Sequence, residues 1–268
     1  MKSIKIVMQE QIRNLYMIGR LSGYELKKSY AGNLLGSFWI ILNPLFQIGV
    51  YWIVFGLGVR GGRDVEGIPF FIWLICGLIP WFFMSASILQ GSNSVYARLN
   101  SVSKMNFPLS VIPTYVIVSQ VYTHLILMGM LLVIVIVSQG FSHLNVISLL
   151  YFMLSSFVFL LSLSFITSTL STMVRDIHLL IQTATRMLFY ITPILWIPSD
   201  NTPQLLKEVF AMNPFYYLVE GYRNSLLTGG WELITSPYTI VFWLIICGLF
   251  VFGSAIHVKF RKQFVDYL

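Results

Sequence analysis

Charge is what this 268-residue chain has least of: Lys, Arg, Asp and Glu together make up 10% of it, against about 25% in an average soluble domain. Between Lys104 and Arg175 none of the four occurs. With 57% of residues hydrophobic, no polar stretch is left for a separate soluble unit, and a single integral membrane domain is expected. Cysteine is almost as scarce. Cys76 and Cys247 lie in separate apolar runs without C-x-x-C spacing, which excludes a local redox or metal motif and leaves them as packing residues. There is no Gly-Lys pair, so the chain has no phosphate-cradling loop for ATP. H-E-x-x-H and G-x-S-x-G are also absent, and His124, His143, His178 and His257 are scattered over different segments. No catalytic, cofactor or metal site is therefore expected. The opening "MKSIKIVMQEQIRN" lacks an uninterrupted apolar core with a small-residue cleavage site, so no cleavable leader is expected.

What the chain has instead is long apolar runs. A membrane-crossing helix needs about 20 apolar residues, and six runs qualify, at approximately 36–58, 69–91, 112–137, 146–172, 177–198 and 237–257. The expected fold is all-α, with six transmembrane helices in a domain over 34–268. "SQGFSHLN" at 138–145 marks a tight turn between the third and fourth spans. With both ends inside, the inner segments hold twelve Lys and Arg and the outer ones four: Arg60, Arg63, Lys207 and Arg223. Both termini are accordingly expected in the cytoplasm. The formal net charge of +7 is then mostly a topology signal, and nucleic acid is disfavoured as a partner.

Residues 1–33 form an N-terminal interfacial region. Lys2, Arg13, Arg20 and Lys27 fall on one helical stripe, with Ile4, Val7, Met8, Leu15 and Ile18 opposite, the pattern of an amphipathic helix lying on the bilayer. Before the last span, the segment at about 204–228 has two apolar pieces separated by Asn213-Pro214, each too short to cross. They read as a pair of re-entrant half-helices, tolerated at membrane depth only where protein or a wet cavity surrounds them.

Arg186 is the sharpest single residue, because an arginine inside a span is costly and usually faces a partner or water. Two roles fit it: a pore-lining cation for an anionic substrate, or an interhelical hydrogen-bonding contact. Gln182 lies one turn before it and Tyr190 one turn after. Asn43 and Gln47, flanking a kink at Pro44, raise the same two possibilities in the first span. Glu220 and Arg223, three apart, form either a gate contact or a solvated surface pair. Intramembrane acids of the kind common in ion-coupled carriers are missing, as are the clustered acids or histidines of an intramembrane transferase.

The strings "YAGNLLGSFWIILNPLFQIGVYWIVFGLGV", "LIPWFFMSASILQGSNSVYARLNSVSKMNFP", "MVRDIHLLIQTATRMLFYITPILW" and "MNPFYYLVEGYR" together resemble the permeases of ABC-2 type polysaccharide exporters. The likeness is greatest to wall teichoic acid exporters, with O-antigen and capsule exporters as the alternative. It implies a homodimer joined to two separate ATPase subunits, which bind the ATP and Mg. The cargo would be a polyprenyl-diphosphate-linked polymer, and the location the plasma membrane of a Gram-positive bacterium. It further implies an ATPase-coupling helix over Tyr96, Arg98, Asn100, Ser103, Lys104, Met105 and Asn106, with a second contact at Arg175 and Asp176. The pathway would run past Asn43, Gln47, Gln182, Arg186 and Tyr190. An outer gate would comprise Asn213, Pro214, Phe215, Tyr216, Tyr217, Glu220 and Arg223.

Overall fold

The computed structural model describes residues 2–102, 107–198, 203–261 and 263–264. Helices α1 (Lys2–Arg13) and α2 (Leu15–Tyr30) break at Asn14, whose amide returns to the Glu10 carbonyl at 2.7 Å. A 3-10 turn then enters α3 (Trp39–Tyr51), which contains Pro44 and widens into a π-helical stretch, Trp52–Val59. The chain continues through α4 (Phe70–Ser92), a 3-10 turn (Tyr96–Arg98), α5 (Leu99–Val102), α6 (Val111–Gln139), α7 (Val146–Met173) and α8 (Asp176–Ile191). Two short helices, α9 (Gln204–Met212) and α10 (Pro214–Arg223), precede a π turn at Asn224–Thr228, the single turn α11 (Glu232–Thr235) and α12 (Pro237–Phe260). Among the described residues there is no β-strand.

Five helical stretches are long and apolar enough to cross a membrane: Gly36–Val59, Phe70–Ser92, Val111–Gln139, Val146–Met173 and Pro237–Phe260. The run at 177–198, expected to be a sixth, behaves differently. Its helix α8 stops after 16 residues, about 24 Å, short of the roughly 30 Å hydrocarbon thickness. Thr192 turns to extended backbone (φ −73°, ψ 131°) because Pro193 disfavours helix at the residue before it. The remainder, up to Pro198, is irregular.

Helix α4 is the axis: 78% of its apolar window is buried, against 17% for Gly36–Val59. Around α4 pack α6, α7, α8 and α10, while the first span leaves Leu45, Phe46, Val50, Ile53 and Leu57 exposed. Helix α7 approaches its neighbours through buried small hydroxyl residues, including Ser155, Ser162, Ser168 and Thr172. Small side chains of this kind replace a hydrophobic driving force between membrane helices with close van der Waals contact. Ser162 and Thr172 bond to carbonyls one turn back, at 2.8 and 2.7 Å, so their hydroxyls need no outside partner. Thr169 meets His257 Nδ1 at 3.0 Å and thereby ties α7 to α12.

Gly221 lets α10 lie flat on α7, because a Cβ there would run into the ring of the buried Phe152. Gly221→Ala is expected to lower stability by about 1 to 3 kcal/mol, the usual cost of overpacking a filled core. Thermal unfolding in detergent would measure it.

The N-terminal region consists of two helices where the pattern implied one, and both dock on the bundle. Ile18 joins Val95, Leu99, Val111, Ile112, Val116 and Phe264 in a second buried cluster. Glu10 pairs with Arg261 beyond α12 at 2.7 Å and accepts from Ser110 at the start of α6. Lys2, Arg13, Arg20 and Lys27 remain exposed on the far side, where cations are stabilised beside anionic lipid.

Candidate functional site

Two cavities open along one face of α4. The first, of about 300 Å³, lies between α3, α4 and α6 and is lined by Asn43, Gln47, Ser85, Leu89, Gln90 and Gln120 among others. The second, of about 510 Å³, lies between the first span, α4 and α8, and holds Tyr51, Trp81, Gln182, Thr185, Arg186 and Tyr190. Ser85 and Leu89 belong to both linings, so the two are lobes of one trench. All five residues expected along a pathway thus face it: Asn43 and Gln47 in the first lobe, Gln182, Arg186 and Tyr190 in the second. Arg186 is exposed, its Nε directed at the Gln182 carbonyl 3.4 Å away. That geometry serves a cation presented to a cavity rather than a buried interhelical contact.

At the end of the bundle near α1 and α2, a groove of about 530 Å³ is bordered by Asn93, Tyr96, Ala97, Arg175, Asp176 and His178. The Arg175 guanidinium lies 4.8 Å from the Tyr96 ring centroid, within cation–π range. Three residues expected at an ATPase contact therefore converge there: Tyr96, Arg175 and Asp176. Arg98 does not join them. It pairs with Glu25 of α2, donates to the Ser94 carbonyl at 2.9 Å and lies 5.5 Å from the Tyr115 ring. Its charge is engaged within the chain, which corrects its expected role as an outward docking contact. Asn100 is exposed on α5. The expected coupling helix is seen as a 3-10 turn and one α-turn, while Ser103, Lys104, Met105 and Asn106 lie outside the described residues. A double-mutant cycle on Glu25→Gln and Arg98→Gln is expected to give a coupling of about 1 kcal/mol, the upper end for partly screened pairs, read from thermal unfolding.

The opposite end is organised by Arg223, which is 2% exposed. The gate-or-surface expectation for Glu220 and Arg223 is corrected here: a surface pair would be solvated, and this arginine is walled in. Its Nη1 donates to the Pro193 carbonyl (3.0 Å) and to Glu220 (3.3 Å), and its Nη2 donates to the Ile194 carbonyl (2.7 Å). The guanidinium lies 3.6 Å from the Trp73 ring centroid, and Gly77 leaves the space it fills. Arg223 therefore satisfies the backbone exposed where the run after α8 loses its helix, a requirement of irregular backbone at membrane depth.

Asn213 caps α10, its side chain accepting from Phe215 N at 3.0 Å and donating to Thr192 Oγ1 at 3.3 Å. Pro214 follows at the first helical position, where no amide hydrogen is needed. Phe215 is buried against Trp81 and Phe159. Tyr217 is buried too, and its hydroxyl is engaged by Thr239 (2.8 Å) and Tyr151 (3.3 Å). Tyr216 is half-buried. Asn213 and Pro214 thus form the joint, while Phe215 and Tyr217 are core contacts.

A profile of the ABC-2 type transporter family matches residues 18–227. The chain belongs to the ABC-2 type transporter family. Among similar proteins, an O-antigen export system permease protein RfbA of Myxococcus xanthus is 27% identical over 217 residues, covering 79% of this chain and 82% of that protein. Two Klebsiella pneumoniae proteins of the same name are each 26% identical over 251 residues, covering 92% of this chain and 93% of each relative.

In this ABC-2 chain one arrangement escaped the sequence reading. Gln182 Nε2, which can only donate, meets His178 Nε2 at 2.9 Å. The imidazole hydrogen therefore sits on Nδ1, which faces Ser92 Oγ at 2.9 Å, and Ser92 donates to the Leu89 carbonyl at 2.9 Å. This relay joins α8 to α4 between the groove and the trench. His178 and Ser92 are 86 positions apart, and no local motif announces the pair.

Proposed function

We propose that the chain is the membrane subunit of an ATP-driven exporter of a lipid-linked polysaccharide, acting as a homodimer with two copies of a separate ABC ATPase. The observation that carries this reading is the trench, where cation, amide and aromatic side chains line two lobes on one face of α4. A polyanionic or hydroxyl-rich polymer needs those groups. The groove at Tyr96, Arg175 and Asp176 is assigned to ATPase docking, and the α9–α10 pair to the outer gate. ATP-driven closure of the partners would rock the paired membrane halves by rigid-body motion. Both termini then face the cytoplasm, as the twelve-to-four Lys/Arg bias favours.

Three relatives carry the name of O-antigen export permeases, which favours an O-antigen-type glycan. The wall teichoic acid reading rests only on the likeness of the "LIPWFF" to "MNFP" string and takes second place. The test is co-expression with the cognate ATPase in a bacterium lacking its own O-antigen exporter. Surface glycan on immunoblots is expected only when both subunits are present. Transport without an ATPase, or no ATPase retained by the tagged chain in mild detergent, would overturn the reading in favour of a channel or carrier.

A further inference from the structure

Building on the exporter reading, we propose that the two lobes form one bipartite site for the head group of the carried lipid. The Arg186 lobe takes the diphosphate, and the amide lobe takes the first uncharged sugar bonded to it. The lobes differ in chemistry. No Lys, Arg, Asp or Glu lines the amide lobe, whereas Arg186 is the one such residue lining its neighbour.

Primary amides both donate and accept, the match for sugar hydroxyl and acetamido groups. Four of them at one cavity inside a membrane bundle are costly unless engaged. Gln120 donates to Gln90 at 2.8 Å, and Asn43 and Gln47, one turn apart on α3, line the cavity from the opposite wall. His124 adds a second observation. It is 2% exposed, lines the same cavity, has Nε2 at 3.1 Å from the Tyr222 hydroxyl, and has Nδ1 without a partner among the described residues. A buried, unpartnered ring nitrogen in a cavity wall fits a ligand hydroxyl. Trp39 and Phe82 supply apolar faces for the ring C–H groups.

Connectivity then selects the ligand. In a lipid diphosphosugar the anion is bonded directly to a neutral polyol, so the two subsites must adjoin. They meet at Ser85 and Leu89, four apart on α4 and about 6 Å along its axis. A phospholipid offers the same phosphate without the sugar and would use the Arg186 lobe alone.

The test is binding to the purified complex with its ATPase, followed by tryptophan fluorescence, using farnesyl diphosphate, farnesyl-diphospho-N-acetylglucosamine and phosphatidylglycerol. The sugar-bearing probe is expected to bind about tenfold tighter than the bare diphosphate, the gain from one or two net hydrogen bonds. The Asn43→Leu/Gln47→Leu pair should erase that gain and leave diphosphate affinity unchanged. Arg186→Gln should weaken both probes about tenfold. Equal affinity for the two probes in the unaltered protein, equal weakening of both by the amide variants, no binding of either probe, or displacement by phosphatidylglycerol at equal concentration would each overturn the bipartite site. Failure of the exporter reading shows separately, as loss of the co-purifying ATPase whatever the probes do.

Discussion

Arg223→Met is expected to leave little folded protein. The substitution keeps the apolar stem but strips the Pro193 and Ile194 carbonyls of their donors and leaves Glu220 without its partner. Uncapped buried groups and a broken ion pair together cost about 3 to 5 kcal/mol, a large part of the net stability of an ordinary domain. Size-exclusion of a fluorescent fusion from membranes should show the monodisperse peak lost. Gly77→Ala should do the same by a different route, because its methyl would occupy the space of the guanidinium. A variant that folds normally yet exports nothing would return Arg223 to the gate role implied by the sequence.

The second large effect is expected at the other end. Tyr96→Ala combined with Arg175→Glu removes an aromatic–cation contact from the groove and reverses a charge there. Arg175 is exposed, and an exposed cation–π pair is worth only about 0.5 to 1 kcal/mol, so the bundle should survive. ATPase retained by the tagged chain should fall at least tenfold, and export with it. Unchanged retention would place the docking surface elsewhere, with the segment around Lys104 as the next candidate. Arg98 is the poorer choice for this experiment, since altering it also breaks its pair with Glu25.

Much of the architecture was legible because hydrophobic runs report membrane helices directly. The joint at Asn213-Pro214 was legible for a local reason: an Asx cap followed by a proline at the first helical position is a start signal. The end of α8 carried an equally local signal in Thr192-Pro193, but the apolar run continues past it and outweighed the proline. Arg223 could not be read in advance, because its partners lie on the segment after α8 and on α4, and its spacing to Glu220 imitates a surface pair. The same holds for Arg98, whose carboxylate partner is 73 positions away. The trench was half visible: Asn43, Gln47 and Arg186 stood out as polar residues in apolar runs, but the amides joining them come from α4 and α6.

The joint between α8 and α10 has an electrical consequence. A helix carries roughly half a negative charge at its C-terminus and half a positive one at its N-terminus. Here the C-terminal end of α8 meets the N-terminal end of α10, linked through Thr192 and Asn213, so the opposed half-charges largely cancel. Glu220 and Arg223 likewise travel as a neutral pair. Swinging this assembly moves almost no net charge through the transmembrane field, where each full elementary charge would cost about 2.3 kcal/mol per 100 mV. Opening at this joint is thus set by the ATPase and the cargo and is indifferent to membrane voltage.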